Sequence, residues 1–427
     1  TILSIVFTEE FSRAIDTMEN TNESVFLTGK AGTGKSTLIK QFLEKTKKNV
    51  VILSPTGIAA LLIGGQTIHS FFRLQNSEPR ANIKFNKDRA DIFRKIDTII
   101  IDEISMVRAD VLDAVDIALR VNLKSDKPFS GVQMIFVGDL FQLPPVVTQF
   151  DKERISLEYK SEYFFDANCM QNYKYKKTEL TTMFRQSDGD NKFKDLLNSI
   201  RVNSPFVDLD LLNSRYSDCG GQSICLTSRR ETSAKINKNK LDVLIYEPSF
   251  FKAELSGEYL ETEKLGKLNH DQLPAPFWLE LKPFAMVMML NNDKENRWAN
   301  GSMGFIKSFG NRYINIEING VTHIVEPYTW EKSKYVTDYY TGKIRKETIA
   351  EFTQYPMQLA YAITIHKSQG QTFDNVTIDI SGGAFAHGQT YVALSRCKTL
   401  EGITLNQRIK RSDIITDKRI IEFYKTL

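Results

Sequence analysis

The sequence predicts an α/β protein built on a nucleotide-binding parallel sheet. Three observations carry that reading. Gly29–Thr37 reads GKAGTGKST between an apolar strand (Val25, Phe26, Leu27) and apolar residues at helical spacing (Leu38, Ile39, Phe42, Leu43). A second apolar strand, Thr98–Ile101, runs into Asp102-Glu103. A third, Val132–Val137, ends in Gly138-Asp139-Leu140-Phe141-Gln142. Strand ends that gather polar groups on one side are what a doubly wound sheet offers a ligand.

Taken in order, Thr8–Asn20 reads as an amphipathic helix. Thr8 is its N-cap, Glu9 and Glu10 fill its first turn, and Phe11, Ile15 and Met18 form its apolar face. In the glycine loop, Gly29, Gly32 and Gly34 let the backbone turn tightly and point N–H groups inward. The helix that follows adds its positive end to the same place. Lys35 would reach the β- and γ-phosphates, and the Ser36 hydroxyl would bind Mg²⁺. Thr33 and Thr37 complete this nucleotide-binding set.

Val50–Leu53 is the next strand, followed by Ser54-Pro55-Thr56-Gly57. Thr56 and Gly57 suit a backbone phosphate. His69 and Phe72 suit a sugar or base, although a plain strand–helix junction with two core aromatics, Phe71 and Phe72, fits the same residues. Ser77–Asp91 reads as an excursion from the core fold. Lys84, Lys87 and Arg89 around Phe85 fit a nucleic-acid contact and a solvated loop equally. Asp102 would hold Mg²⁺ through water, and Glu103 would orient and polarise the attacking water. Val111–Leu119 reads as a helix. Gln142 stands where it would sense the γ-phosphate.

In the second half, Tyr159–Tyr175 reads as the junction between domains. Leu180–Gln186 then carries Arg185. Ile224–Leu226 is a strand, Glu231–Lys240 a helix and Phe284–Leu290 another strand. Gly310–Val325 alternates as antiparallel hairpins do, with Asn319-Gly320 as a turn. Residues 295–350 therefore read as a small β-rich insertion. Gln358–Ile365 returns to an apolar segment that ends in His366-Lys367-Ser368-Gln369-Gly370. After a further strand at Val376–Ile380, Tyr391–Arg396 leads a short helix. Arg396 is the natural second phosphate-reaching arginine, on a different domain from Lys35.

The chain has 427 residues, which implies two or three domains. Its 41% hydrophobic and 25% charged residues are ordinary for a globular protein, and a formal charge of +4 neither excludes nor proves a nucleic-acid partner. The four cysteines form no metal-like cluster and suggest a reducing compartment. The longest apolar run, near Phe284–Leu290, is far short of a membrane span. Thr1 is not a start methionine, so trimming at the N-terminus is expected.

The ordered set GKAGTGKST, SPTGIAALLIGGQTIHSFF, IIIDEISMV, FVGDLFQLPP, LTTMFRQ, YAITIHKSQGQTFDNV and YVALSRCKTLEGI resembles superfamily-one DNA helicases of the 5′-to-3′ branch. Within them it is most similar to the petite-integration-frequency helicases, related to the RecD-like enzymes. The likeness covers nearly the whole chain, and Asp110–Arg120 resembles the family's signature helix. It implies two RecA-like domains with ATP and Mg²⁺ between them: domain 1A over 1–170, with a 1B excursion near 77–91, and domain 2A over 171–294 and 351–427. An SH3-like domain 2B would fill 295–350. By the same resemblance Lys35, Asp102, Glu103, Gln142, Arg185 and Arg396 are catalytic, and Gly370 joins the nucleotide set. Thr56, Gly57, Thr67, His69, Phe72, Thr364, His366 and Lys367 lie along DNA. The implied partners are single-stranded DNA, duplex junctions and G-quadruplex DNA.

One departure stands out. Where the family carries a Gln in an EEQ setting to read adenine, this chain has Phe11. It also lacks the extensions of eukaryotic relatives and reads as the bare motor core. That suits a cytoplasmic bacterial protein, or a trimmed nuclear or mitochondrial relative. An RNA helicase or non-unwinding translocase, and a nucleotide-switched scaffold, are the competing readings.

Overall fold

The computed structural model describes residues 9–75, 78–184, 190–217, 223–338 and 340–426. The chain begins with α1 (Glu9–Asn20), β1 (Val25–Gly29) and α2 (Lys35–Lys45), then β2 (Val50–Ser54), α3 (Gly57–Leu62) and β3 (Gln66–Thr67). After α4 (Ile68–Phe72) and α5 (Lys87–Phe93) come β4 (Thr98–Ile101), α6 (Ala109–Leu123), β5 (Gln133–Val137), α7 (Gln149–Glu158) and β6 (Lys176–Leu180). The strands form one parallel sheet in the order β3-β2-β4-β5-β1-β6.

The run of Val, Ile, Leu and Phe in these strands follows from burial on both faces. Phe26, Val51, Leu53, Ile99, Ile101 and Phe136 face one core. The alternating Val25, Leu27, Ile52, Ile100, Ile135 and Val137 meet Phe11, Leu38, Ile39 and Phe42 on the other face. Helix α6 carries three buried aspartates, and each is answered. Asp110 pairs with Arg108 and Arg154, both at 2.6 Å. Asp113 accepts the Tyr159 hydroxyl at 2.8 Å, and Asp116 accepts the Phe129 N–H at 2.5 Å.

The second half opens with α8 (Asn191–Arg201), α9 (Leu209–Asn213), β7 (Ile224–Thr227) and α10 (Arg230–Asp242). Then follow β8 (Ser249–Lys252), β9 (Glu254–Ser256), α11 (Gly257–Lys264), β10 (Trp278–Leu281), β11 (Met286–Met289), β12 (Met303–Phe309), β13 (Ile314–Ile318) and β14 (Val321–Val325). The long strands β15 (Tyr328–Thr337) and β16 (Ile344–Gln354) precede β17 (Met357–Leu359), β18 (Ala362–Thr364), β19 (Val376–Asp379), α12 (Gln389–Leu394), β20 (Ile403–Leu405) and α13 (Lys418–Thr426). A second parallel sheet has the order β18-β7-β19-β20. Antiparallel sheets β14-β13-β12-β11-β17 and β15-β16-β9, with the β10-β8 pair, form the β-rich part. Asn319 and Gly320 both take positive φ, 52° and 78°, as a two-residue hairpin turn requires.

Several expected limits shift. Strand β6 pairs in parallel with β1, so the first sheet runs on to Leu180 rather than ending at 170. Strands β8 to β11 pair within the β-rich part, which therefore extends well outside 295–350 on its N-terminal side, and β17 extends it on the other. The apolar segment Gln358–Ile365 is two strands in two different sheets, β17 and β18. The aromatic stretch after Tyr159 packs into the first core through Tyr159, Tyr163 and Phe164 instead of marking a junction. Helix α5 is no excursion either: Phe93 packs on Phe71 and Phe72, with ring centroids 5.7 and 5.4 Å apart. Helix α13 returns to the first sheet. Phe423 stacks on Phe165 at 4.1 Å, and the Tyr424 hydroxyl lies 2.7 Å from that of Thr28 in β1.

The β-rich part also leans on the first sheet. Tyr335 of β15 is buried against Phe71, accepts the Ile52 N–H at 3.0 Å and lies beside Gln66.

Candidate nucleotide site and nucleic-acid track

The glycine loop joins β1 to α2. Gly29, Gly32 and Gly34 all have φ between 82° and 153°, a region that disfavours any Cβ. A Cβ on Gly29 would sit 2.6 Å from the Leu180 carbonyl. Lys35 donates to the carbonyls of Gly29 and Lys30 at 2.7 and 3.1 Å, so its ammonium lies over the loop. Burial lowers its pKa, against the attraction of Asp139 and Glu103. Thr33 is buried and donates its hydroxyl to Lys30 at 3.0 Å, while Ser36 is exposed at the start of α2 and Thr37 is half-buried beside it.

Strand β4, next to β5 and one strand removed from β1, delivers Asp102 and Glu103 to the same end of the sheet. Glu103 has φ 52°, a left-handed conformation that costs an ordinary residue of order 1–3 kcal/mol and is retained where the surroundings demand it. Burial, then the charge of Asp102, pushes the Glu103 carboxyl up to about 7. Lys35 and Arg396 oppose that rise. Burial also raises Asp102. Lys35, Asp102, Glu103 and Arg396 therefore share one electrostatic environment, although Arg396 follows α12 in the second half.

Arg396 is 1% exposed. Its guanidinium is fixed by the Val392 carbonyl at 3.1 Å, those of Ser368 and Gln371 at 3.5 and 3.4 Å, and the Ser395 hydroxyl at 3.0 Å. Gly370, with φ 78°, turns the loop that supplies two of those carbonyls. Gln142 is buried on the loop after β5. Gly388 of the second half backs onto that loop so closely that a Cβ would lie 2.4 Å from the carbonyls of both Phe141 and Gln142. Arg185 lies outside the described residues.

Sequence reasoning passed over Asp139, Arg201 and His387. Asp139 is 1% exposed and ion-paired to Arg201 at 2.9 Å, and the Arg201 guanidinium stacks 4.0 Å from the Phe141 ring. Burial alone would raise the Asp139 carboxyl, but Arg201 and Lys35 hold it below its ordinary value. Asp139 stood within a quoted stretch and signalled itself only by its strand-end position. Arg201, at the end of α8, carried no signal. His387 lies 2.8 Å from the Leu140 carbonyl through Nε2 and accepts the Asp417 N–H at Nδ1, which makes Nε2 the protonated nitrogen.

The nucleic-acid candidates fall on both halves. Thr56 and Thr67 are the N-caps of α3 and α4, accepting the N–H groups of Ala59 and Ser70 at 3.3 and 3.2 Å. Gly57 faces the Gln272 carbonyl. His69 and His366 are half-buried, and burial lowers both pKa values, so both imidazoles are neutral near pH 7. Lys367 is exposed, and its N–H donates to the buried Thr364 hydroxyl at 3.3 Å. Arg230 and Asp271, 2.5 Å apart, lie beside it. Phe72 corrects the expectation: it is 5% exposed, edge-on to Phe71 at 4.9 Å, and its apolar ring is core rather than a stacking platform.

No group of three or more His, Cys, Asp or Glu suited to a metal occurs among the described residues. A divalent cation would thus need phosphate oxygens as well, and Ser36 with Asp102 supplies the oxygen donors that suit Mg²⁺.

A glycine phosphate loop, an acidic pair at the end of β4 and a buried arginine after α12, beside a second parallel sheet, define a two-unit, RecA-like nucleotide hydrolase. Comparison with known proteins makes the class specific. A sequence profile of PIF1-like helicases matches residues 7–204. The ATP-dependent DNA helicase Pif1 of Bdellovibrio bacteriovorus is 32% identical over 433 residues, spanning 99% of this chain and 92% of that protein. Human ATP-dependent DNA helicase PIF1 is 32% identical over 95% of this chain, which spans 61% of the human protein. The structure of Bacteroides sp. Pif1 with ADP-AlF4 superposes with a TM-score of 0.89 at 36% identity, covering 99% of this chain and 97% of that one. The Bacteroides Pif1 structure bound to single-stranded DNA, with the same identity and coverage, superposes at 0.69. The chain belongs to the PIF1-like helicase family.

Proposed function

We infer that this chain is an ATP-dependent DNA helicase that translocates 5′ to 3′ on single-stranded DNA and unwinds duplex or structured DNA. The observation that carries the reading is the electrostatic coupling of Lys35, Asp102 and Glu103 in the first half with Arg396 in the second. Family membership supplies the substrate class, as Pif1 relatives have been solved with ADP-AlF4, with single-stranded DNA and at forked duplexes.

In this reading the loop from Gly29 to Thr37 cradles the phosphates, and Lys35 leaves its carbonyls for the β- and γ-phosphates. Ser36, and Asp102 through water, would hold Mg²⁺, which would supply neutralisation of the phosphate charge. Glu103 orients the attacking water and takes its proton, a task for which a carboxyl near pH 7 is well matched. Gln142 links nucleotide state to the loop on Gly388, and Arg396 and Arg185 approach the γ-phosphate as the cleft closes. Gly370 shapes the Arg396 pocket.

Thr56, Gly57, Thr67 and His69 on one unit and Thr364, His366 and Lys367 on the other grip the strand in turn. They hold backbone rather than base edges, as a sequence-tolerant motor requires. The β-rich part serves as the SH3-like domain 2B, the residues before α5 as 1B, and G-quadruplex DNA is among the substrates.

The test is ATPase rate with and without single-stranded DNA, together with unwinding of 5′-tailed and 3′-tailed duplexes. DNA stimulation and unwinding from the 5′ tail are expected. Absence of stimulation overturns the motor, unwinding only from a 3′ tail overturns the polarity, and equal stimulation by RNA overturns the restriction to DNA.

A further inference from the structure

The phosphate loop is touched by a side chain from the far half of the chain. Tyr391, in α12, is 4% exposed. Its hydroxyl oxygen accepts the Ala31 N–H at 3.2 Å and lies 3.4 Å from Asp139 Oδ2. Ala31 stands inside the glycine loop, and Asp139 on the loop that follows β5. Because the oxygen accepts the Ala31 N–H, the hydroxyl hydrogen is directed at the Asp139 carboxylate, to which it donates. That carboxylate is already anchored by Arg201 at 2.9 Å and by the Phe141 N–H at 3.2 Å. One phenol thus joins three segments distant in sequence: the phosphate loop, the loop carrying Gln142 and the helix leading to Arg396.

The start of α12 is fixed elsewhere as well. Gly388 backs onto the Phe141 and Gln142 carbonyls, and His387 is bonded to Leu140. Those ties hold α12 to the loop after β5. The Tyr391 hydroxyl adds the tie to the phosphate loop itself. Arg396 follows Tyr391 by five residues, and the Arg396 Nε donates to Val392, the residue next to Tyr391. A displacement of Tyr391 relative to Ala31 is therefore carried by a short rigid path to the guanidinium whose charge Glu103 feels.

We infer that Tyr391 is a positioning residue for nucleotide hydrolysis, its hydroxyl setting the distance between the phosphate loop and the helix that places Arg396. The inference rests on the reading of Arg396 and Glu103 given above. Tyr391 touches no reacting atom. It acts by holding Arg396 where its positive charge bears on the departing phosphate. Phenylalanine at 391 keeps the buried ring and its packing and removes only the strut.

The experiment compares Tyr391→Phe with the parent, Arg396→Lys and the double variant in DNA-stimulated ATPase assays at one pH. With the strut gone, kcat is expected to fall about tenfold while the KM for ATP stays within about twofold. Because Tyr391 acts through Arg396, Y391F should cost little more once Arg396 is already lysine, whereas a loss of packing alone would lower kcat by the same factor in both backgrounds. Unchanged kcat overturns the inference, as does an equal fall in both backgrounds. Should Y391F melt earlier, rates taken well below its melting temperature still decide. Failure of the parent itself to hydrolyse ATP would instead sink the helicase reading, so the two failures are distinct.

Discussion

Glu103→Gln is expected to stabilise the nucleotide-free protein above neutral pH while it removes ATP hydrolysis. The carboxylate sits partly buried beside Asp102, and its pKa stands at about 7 against an ordinary 4.5. A folded-state pKa above the unfolded one means that the folded protein binds the proton more tightly. Stability then falls as pH rises from 4.5 through 7, and above that window the ionised group is a standing cost. The rise corresponds to about 3.4 kcal/mol at most, and coupling to Asp102 with some solvent contact brings the expected gain nearer about 2 kcal/mol. For a cooperative unit the size of the first sheet and its helices, that is a rise in melting temperature of roughly 4–8 °C. The assay is thermal unfolding of parent and E103Q, nucleotide-free, at pH 8 and pH 5. The gain should be large at pH 8 and mostly gone at pH 5. Equal gains at both pH values would show that packing, not charge, is responsible, and no gain at pH 8 would refute the electrostatic argument.

On the proposed role of Glu103 as the base, it must be ionised to accept the water proton, so kcat/KM for ATP should rise with pH through about 7, measured in steady-state assays with saturating single-stranded DNA. Arg396→Lys keeps the charge but not the planar fork that meets four acceptors, so kcat should drop by at least about a hundredfold with little change in DNA affinity. Fluorescence anisotropy on a labelled oligonucleotide checks the second half of that statement.

The first parallel sheet was readable because its signals are local. GKAGTGKST must follow a strand and open a helix, and the apolar runs before Asp102 and Asp139 can only be buried strands. The Asn319-Gly320 hairpin was equally plain, since its turn residues state their own backbone conformation. What sequence could not give is contact between distant segments. Nothing near Lys176–Leu180 says that it completes the first sheet, because a short polar-apolar strand looks alike at any edge. Phe72 resembles a stacking residue until Phe93, across a polar excursion, closes over it. Asp139 and Arg201 are 62 residues apart, and their ion pair exists only after the chain has folded. The arginine and tyrosine of YVALSR were visible as letters, but the burial of both side chains, and the hydroxyl resting on Ala31, belong to the assembled cleft.

Helix α13 has a mechanical meaning. The chain leaves the first sheet after Leu180, builds the second, and then comes back to seat Phe423 and Tyr424 on β1 and its neighbours. Arg419 pins the return to Glu162 at 3.1 Å, and Asp417 meets the Tyr163 hydroxyl at 3.1 Å. Two separated lines of polypeptide thus cross between the halves. A single crossing would be a leash, free to swing in every direction. Two crossings act as paired hinges on one door: they restrain twisting and sliding between the halves.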